Sequence, residues 1–250
     1  MKSKLHTPED LERARFELEL HSKLKSPFLV PFLAGEETSE SLIIVTPLAQ
    51  GDLNSMTMNK VLSEDNCRRL CKQLLGGIDY LHGLGLVHGD IKPQNVLLFK
   101  STSSNTYSAR LCDFGFTEKV RSEGLLPYRG MRGSFGYFSP EQLRRNDYGT
   151  AVDMFALGVI VYTLLSGYEP FYPSNKAGLL TGDEAIDSRV LLFESPYWDS
   201  VSAEAKSFIK TLLHGDPTKR ATASQALASS WILSTAVSEH TAQDVDIQFE

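Results

Sequence analysis

The strongest constraint in this chain is a polar octapeptide, His88-Gly89-Asp90-Ile91-Lys92-Pro93-Gln94-Asn95, followed eighteen residues past its asparagine by Asp113-Phe114-Gly115. Each element adjoins an apolar run, Val96-Leu97-Leu98-Phe99 and Ala109-Arg110-Leu111-Cys112. Short apolar runs of this kind belong inside a fold, so two polar loops are held at the edge of a core. Asp90 can accept a hydrogen bond or a proton from a hydroxyl, and Lys92 can reach a phosphoryl group as a point charge. Asn95 and Asp113 offer hard oxygen ligands suited to Mg2+. Moving a phosphoryl group asks for an oriented acceptor and neutralised phosphate charge, and little covalent chemistry from the protein. The order and spacing of the two elements point to that reaction; an Asp-Phe-Gly tripeptide alone would not.

Periodicity places these loops on a helical frame. Residues 67, 70, 71, 74, 75, 78 and 81 are apolar, a helix stripe over Ser63 to His82 that ends in Gly83 and delivers the octapeptide. Thr150 to Leu165 is apolar nearly all round, as in a helix buried on every side. Helices are predicted over Ser202 to His214 and Thr222 to Ser229, the latter with Thr222 and Gln225 in capping-box spacing, and Trp231 is predicted to dock as an anchor. Thr7-Pro8-Glu9-Asp10 reads as the start of a helix running to about Leu24. Leu42 to Val45 reads as a short buried strand.

At these residues the chain resembles the eukaryotic protein kinases of the serine/threonine type, over residues 9 to 233. The resemblance makes Asp90 the catalytic base, Lys92 the phosphate-contacting lysine, Asn95 and Asp113 the metal ligands, and Asp153 a buried aspartate of the central helix. Ser139-Pro140-Glu141 resembles the close of the activation segment, with Arg220 as partner of Glu141. Gly133-Ser134-Phe135-Gly136-Tyr137-Phe138 and Ser166-Gly167-Tyr168-Glu169-Pro170-Phe171 look most like the calcium/calmodulin-dependent group. Thr46-Pro47-Leu48-Ala49 resembles the hinge that holds adenine, with the Leu48 N–H as donor and the Thr46 carbonyl as acceptor, so that Pro47, which has no N–H, is tolerated between them. Val45 would lie behind the adenine, and Leu97 falls among the nucleotide-contacting positions. Asp52 is similar to an acid near ribose or substrate, with a solvated surface charge as the alternative. The resemblance implies ATP and Mg2+ as cofactors and proteins with Ser/Thr acceptors as substrates.

The implied fold class is α+β, a protein-kinase-like bilobal fold with a truncated small β lobe and a mostly helical large lobe. Residues 1–48 would be the small-lobe remnant, 49–235 the large catalytic lobe, and 236–250 a mobile acidic tail. Such kinases open with a glycine-rich loop and a strand lysine that pairs with a helix glutamate. Glu17, ten residues before Pro27, falls where that glutamate lies, but no Gly-x-Gly-x-x-Gly occurs in the chain, and Lys2 and Lys4 directly precede the helix. The expectation is an N-terminally incomplete kinase whose open site is slow or inactive. The alternative is a noncatalytic, pseudokinase-like module that presents its helical surface to a partner protein.

A net charge of -6 gives no basic field for nucleic acid. The longest apolar stretch, around Phe155 to Leu165, is too short to span a bilayer. Met1-Lys2-Ser3-Lys4 leads into a charged helix rather than a secretory signal, so an intracellular, cytoplasmic location is expected. Cys67, Cys71 and Cys112 read as core residues. The tail lacks the basic amphipathic helix of a calmodulin target.

Two family devices are replaced. Gly89 stands where an arginine normally gathers a loop phosphate, and Gly130 stands where the phosphorylated residue would be, so activation by loop phosphorylation is not expected. Ser134 is expected to hydrogen-bond Asp90 and Lys92. His88 is expected to pack beneath Phe114, and His21, if buried at the top of that column, must be neutral and partnered. Gln94 and Thr163 occupy places where basic-directed kinases carry acids, which argues against a strong arginine requirement. Met131, Phe135 and Phe138 are expected to form an apolar pocket for the residue after the acceptor.

Overall fold

A computed structural model describes residues 8–38, 41–58, 60–101, 106–122, 124–130, 132–171 and 191–234. Thr7, Lys2, Lys4, Met131 and segment 236–250, all of which carry expectations above, lie outside them. The chain is bilobal and α+β. Helix α1 (Pro8–Lys23) packs against an antiparallel hairpin of β1 (Ala34–Glu37) and β2 (Leu42–Val45), registered from Ala34 opposite Val45 to Glu37 opposite Leu42. The strand at Leu42 to Val45 forms as expected but is not buried: Ile43 and Val45 are 45% and 44% exposed. α1 covers this narrow sheet, and every other residue of β2 faces away from the protein.

The large lobe begins with β3 (Gly51–Asp52), α2 (Leu53–Thr57) and α3 (Glu64–Gly83). Ser63 caps α3, its Oγ accepting the Asn66 N–H at 3.3 Å. All seven stripe residues of α3 are buried. They pack on β6 (Tyr107–Leu111) and on α5 (Ala151–Ser166), which is buried at every position except Ala151 and Thr163. An all-round apolar helix must be walled on all sides, and α6 (Ala203–Leu212) supplies another wall. α5 stops at Gly167, whose φ of +81° lies in the left-handed region that glycine enters without penalty.

β4 (Leu86–Val87) pairs with β7 (Glu118–Lys119), and β3, β5 (Val96–Lys100) and β6 form a three-stranded antiparallel sheet. The two lobes are tied by backbone: Leu111 N–H donates to the Phe28 carbonyl at 2.9 Å and Val30 N–H to the Leu111 carbonyl at 2.8 Å. The helix expected over Thr222 to Ser229 forms within those bounds, and a second short helix follows it. α7 (Ala223–Leu227) carries the expected capping box, and then Ser229 caps the second, α8 (Ser230–Leu233), by accepting the Ile232 N–H. Trp231 on α8 is buried, lies 4.7 Å from Phe208 between ring centres, and donates its indole N–H to Glu64 at 2.8 Å. A short helix, α4 (Pro140–Leu143), capped by Ser139, precedes α5. No described helix is long and apolar enough to cross a membrane.

Candidate active site

Asp153, in the first turn of α5 and fully buried, fixes the start of the octapeptide. Its Oδ2 accepts the His88 N–H at 2.8 Å and faces His82 Nε2 at 2.9 Å, and its Oδ1 accepts the Gly89 N–H at 3.0 Å. Burial pushes this carboxyl up, but the His82 bond and charge and the Gly89 N–H outweigh it, so the group is held below the ordinary range. His88 is pinned in turn. Its Nδ1 accepts the Asp90 N–H at 3.3 Å, so Nε2 carries the proton and donates to the Cys112 carbonyl at 3.1 Å.

Above His88 sits Phe114, with ring centres 5.7 Å apart, and above Phe114 sits His21 at 4.9 Å. His21 is 5% exposed, and Nε2 donates to the Val30 carbonyl at 2.7 Å. Burial lowers its basicity, so it is the neutral, partnered imidazole that its position demands. A continuous column thus runs from α1 through Phe114 and His88 to α5.

With Phe114 inward, Asp113 is turned to the surface. It adopts φ +65°, a left-handed conformation more accessible to Asp than to most residues. Asp90 lies across the loop, 4% exposed. Its Oδ2 accepts Lys92 Nζ at 2.6 Å and Asn95 Nδ2 at 3.0 Å, and its Oδ1 accepts Ser134 Oγ at 3.1 Å. Lys92 Nζ also donates to Ser134 Oγ at 3.0 Å, the expected Ser134 contact with both. Asn95 Nδ2 donates further to the Asp90 carbonyl at 2.9 Å, leaving the amide oxygen on its other side as an acceptor.

Glu17 on α1 reaches the same place. A Cβ placed on Gly115 would lie 3.2 Å from its Oε2, and its carboxylate accepts the Phe114 N–H. Burial and the Asp113 charge push Glu17 up, the Phe114 N–H partly opposing, and no described cation pairs with it. The local potential is strongly negative. The Cys112 thiol is pushed up to about 12 by burial and by the charges of Asp113, Asp52 and Glu17, against Lys92 alone. Two oxygen donors, Asp113 and the Asn95 amide, in such a field suit Mg2+, which binds through few protein oxygens and completes its shell with phosphates and water.

The residues expected to form the hinge differ in exposure. Thr46 is half-buried, Val45 is 44% exposed and Leu48 is 93% exposed. Asp52 stands opposite Leu97 in the β3–β5 pairing. It also caps α2, its Oδ1 accepting the Ser55 N–H at 2.9 Å while Ser55 Oγ bonds back to the Asp52 backbone. That second role was legible as Asp-x-x-Ser but passed unread. Of the expected apolar pocket, Phe138 is 5% exposed and lines a cavity together with Asp90 and Ser134, and Phe135 is 48% exposed. Across a one-turn 3-10 helix at Phe135–Tyr137 the two rings meet edge to face, 6.1 Å between centres.

Residues 1–232 match the protein kinase domain family. The chain belongs to that family. Its relatives include calcium/calmodulin-dependent protein kinase cmkA of Emericella nidulans, 36% identical over 225 residues, covering 89% of this chain and 53% of the relative. The type 1 enzyme of Macrobrachium nipponense is 35% identical over 224 residues (89% and 63%), and the human type 1B enzyme 37% identical over 237 residues (92% and 64%). This kinase domain is therefore consistently related to the calcium/calmodulin-dependent group, within a class of ATP-dependent serine/threonine kinases, and spans between half and two thirds of those relatives' length.

Proposed function

We propose that this chain transfers the γ-phosphoryl group of ATP to serine and threonine hydroxyls of proteins. The observation that carries the reading is the closed network of Asp90, Lys92, Asn95 and Ser134. Asp90 Oδ1 and Oδ2 orient the acceptor hydroxyl and take its hydrogen bond, a role worth about 10²–10⁴ in rate. Lys92, held between Asp90 and Ser134, is placed to neutralise charge on the transferring group. Asp113 and the Asn95 amide oxygen would hold Mg2+, which when bound supplies the cationic charge that triphosphate requires. Adenine would rest against Val45, with the Thr46 carbonyl and Leu48 N–H as its backbone partners, ribose near Asp52, and Leu97 lining the cleft.

On this reading residues 1–48 serve as the small-lobe side of the cleft, 49–235 as the catalytic lobe and 236–250 as a tail. One observation favours a second reading, a noncatalytic protein-binding module: Glu17 faces Asp113, and no described cation neutralises either. Incubating the chain, D90A and D113A with ATP-Mg2+ and a degenerate Ser/Thr peptide library separates them. Transfer lost in both variants supports the kinase. No transfer by a chain shown to be folded supports the module or a kinase inactive in this form.

A further inference from the structure

We propose that Glu169 is a specificity-determining residue that selects a basic side chain within about three residues of the phosphoacceptor. This rests on reading the Asp90 site as a peptide phosphotransfer site.

Ser134 Oγ touches Asp90 Oδ1, where the acceptor hydroxyl must sit. Gly136 follows two residues later, at most about 7 Å along the backbone. A Cβ placed on Gly136 would find the Glu169 carboxyl as its nearest neighbour, at 3.6 Å from Oε1 and 3.7 Å from Oε2. Because Gly136 has no side chain and is exposed, nothing of its own screens that carboxylate from a peptide crossing the surface. An extended peptide advances roughly 3.3 Å per residue, so about three residues bridge the distance from Asp90.

The carboxylate is exposed, and among the described residues it makes no ion pair and no hydrogen bond. Its field is nevertheless felt locally: the half-buried Tyr137 phenol is pushed up to about 12 by burial and by the charge of Glu169. Its backbone is fixed. Tyr168, immediately before it, receives the Trp198 indole N–H at 3.0 Å and the Tyr162 hydroxyl at 3.1 Å, and gives its N–H to Ser166 Oγ. Two residues after it, Phe171 stacks on Phe155 at 5.7 Å and 10°. A free anion on a rigid turn, beside the bare Gly136 that follows the exposed Phe135, suits a long side chain with an apolar stem and a cationic head. Glu169 is a different position from Gln94 and Thr163, the uncharged residues that argue against an arginine preference.

The test uses the full chain, E169Q and E169K with peptides that carry one Ser acceptor and, at each of three positions on either side, Arg, Lys, Gln or Glu. Binding by fluorescence anisotropy and phosphorylation are both measured. At one position the native chain is expected to favour Arg or Lys over Gln by about fivefold, as for an exposed ion pair. That preference falls within twofold in E169Q, reverses in E169K, and weakens in 0.5 M salt. Equal charge preferences in all three proteins overturn the proposal. Glu169-dependent binding without transfer supports Glu169 as the peptide contact and counts against transfer by this chain, so the two fail separately.

Discussion

Arg220 forks onto Glu141 across 79 residues of sequence, with N–O distances of 2.7 and 2.9 Å and both side chains buried. The guanidinium also donates to the carbonyls of His214 and Ala151 and lies over the Phe155 ring. It thereby fastens the helix that closes the activation segment to α5. Removing one partner leaves the other charge buried and alone, so R220A and E141A should each cost about 3–5 kcal/mol in urea unfolding. R220K should recover little of this, because an ammonium cannot reproduce the planar fork.

Asp90 holds three donors, and each substitution there should have a distinct kinetic signature if the proposed activity is present. D90N should lower kcat by about 10²–10⁴. K92A should cost about 10²–10³, as for loss of a preorganised charge stabiliser. S134A removes the only described hydroxyl on Asp90 Oδ1 and should cost less, about tenfold, with S134T restoring most of it. Steady-state kinetics with a fixed peptide check all three, and equal losses for S134A and D90N would contradict the ordering.

Gly89 was read from sequence as the loss of a phosphate-gathering arginine, and the backbone adds a physical reason for glycine. Its φ is +80°, and a Cβ would lie 2.9 Å from the Phe116 carbonyl oxygen. G89A should therefore destabilise the fold by about 1–2 kcal/mol. With glycines at both 89 and 130, phosphatase treatment should leave the transfer rate unchanged, whereas a drop after treatment would show that another loop hydroxyl carries a switch.

What the sequence revealed and what it hid follow from the range of the interactions. The α3 stripe, the caps at Ser63 and Thr222 and the Asp90 to Asn95 loop are local, and the structure reproduces each of them. The Glu141 to Arg220 pair is distant, and only family resemblance gave it. The burial of β2 was misjudged because a run such as Leu42 to Val45 states only that it is apolar, while exposure depends on what covers each face. That Phe135 and Phe138 meet edge to face depends on one turn of 3-10 helix, which the apolar pattern does not show. Glu169 went unremarked as an acid because nothing in the sequence shows that Gly136 will lie bare beside it.

His21 makes the seat of α1 sensitive to pH. Burial lowers its basicity in the fold, opposed in part by its bond to Val30, with Lys25 adding a small further lowering. The unfolded chain, with an ordinary imidazole near 6.5, then binds the proton more readily than the folded one. Stability is therefore fully present above that value and is lost progressively as pH falls toward the lowered folded value. The melting temperature should be lower at pH 5.5 than at pH 7.5, and H21L, which keeps the apolar contact with Phe114 but cannot titrate, should shrink that difference. Hydrogen exchange at the α1 backbone, compared at the two pH values after correction for the intrinsic rate, should show the loosening there first, because His21 joins α1 to the Phe114 column. An unchanged pH dependence in H21L would place the acid sensitivity elsewhere.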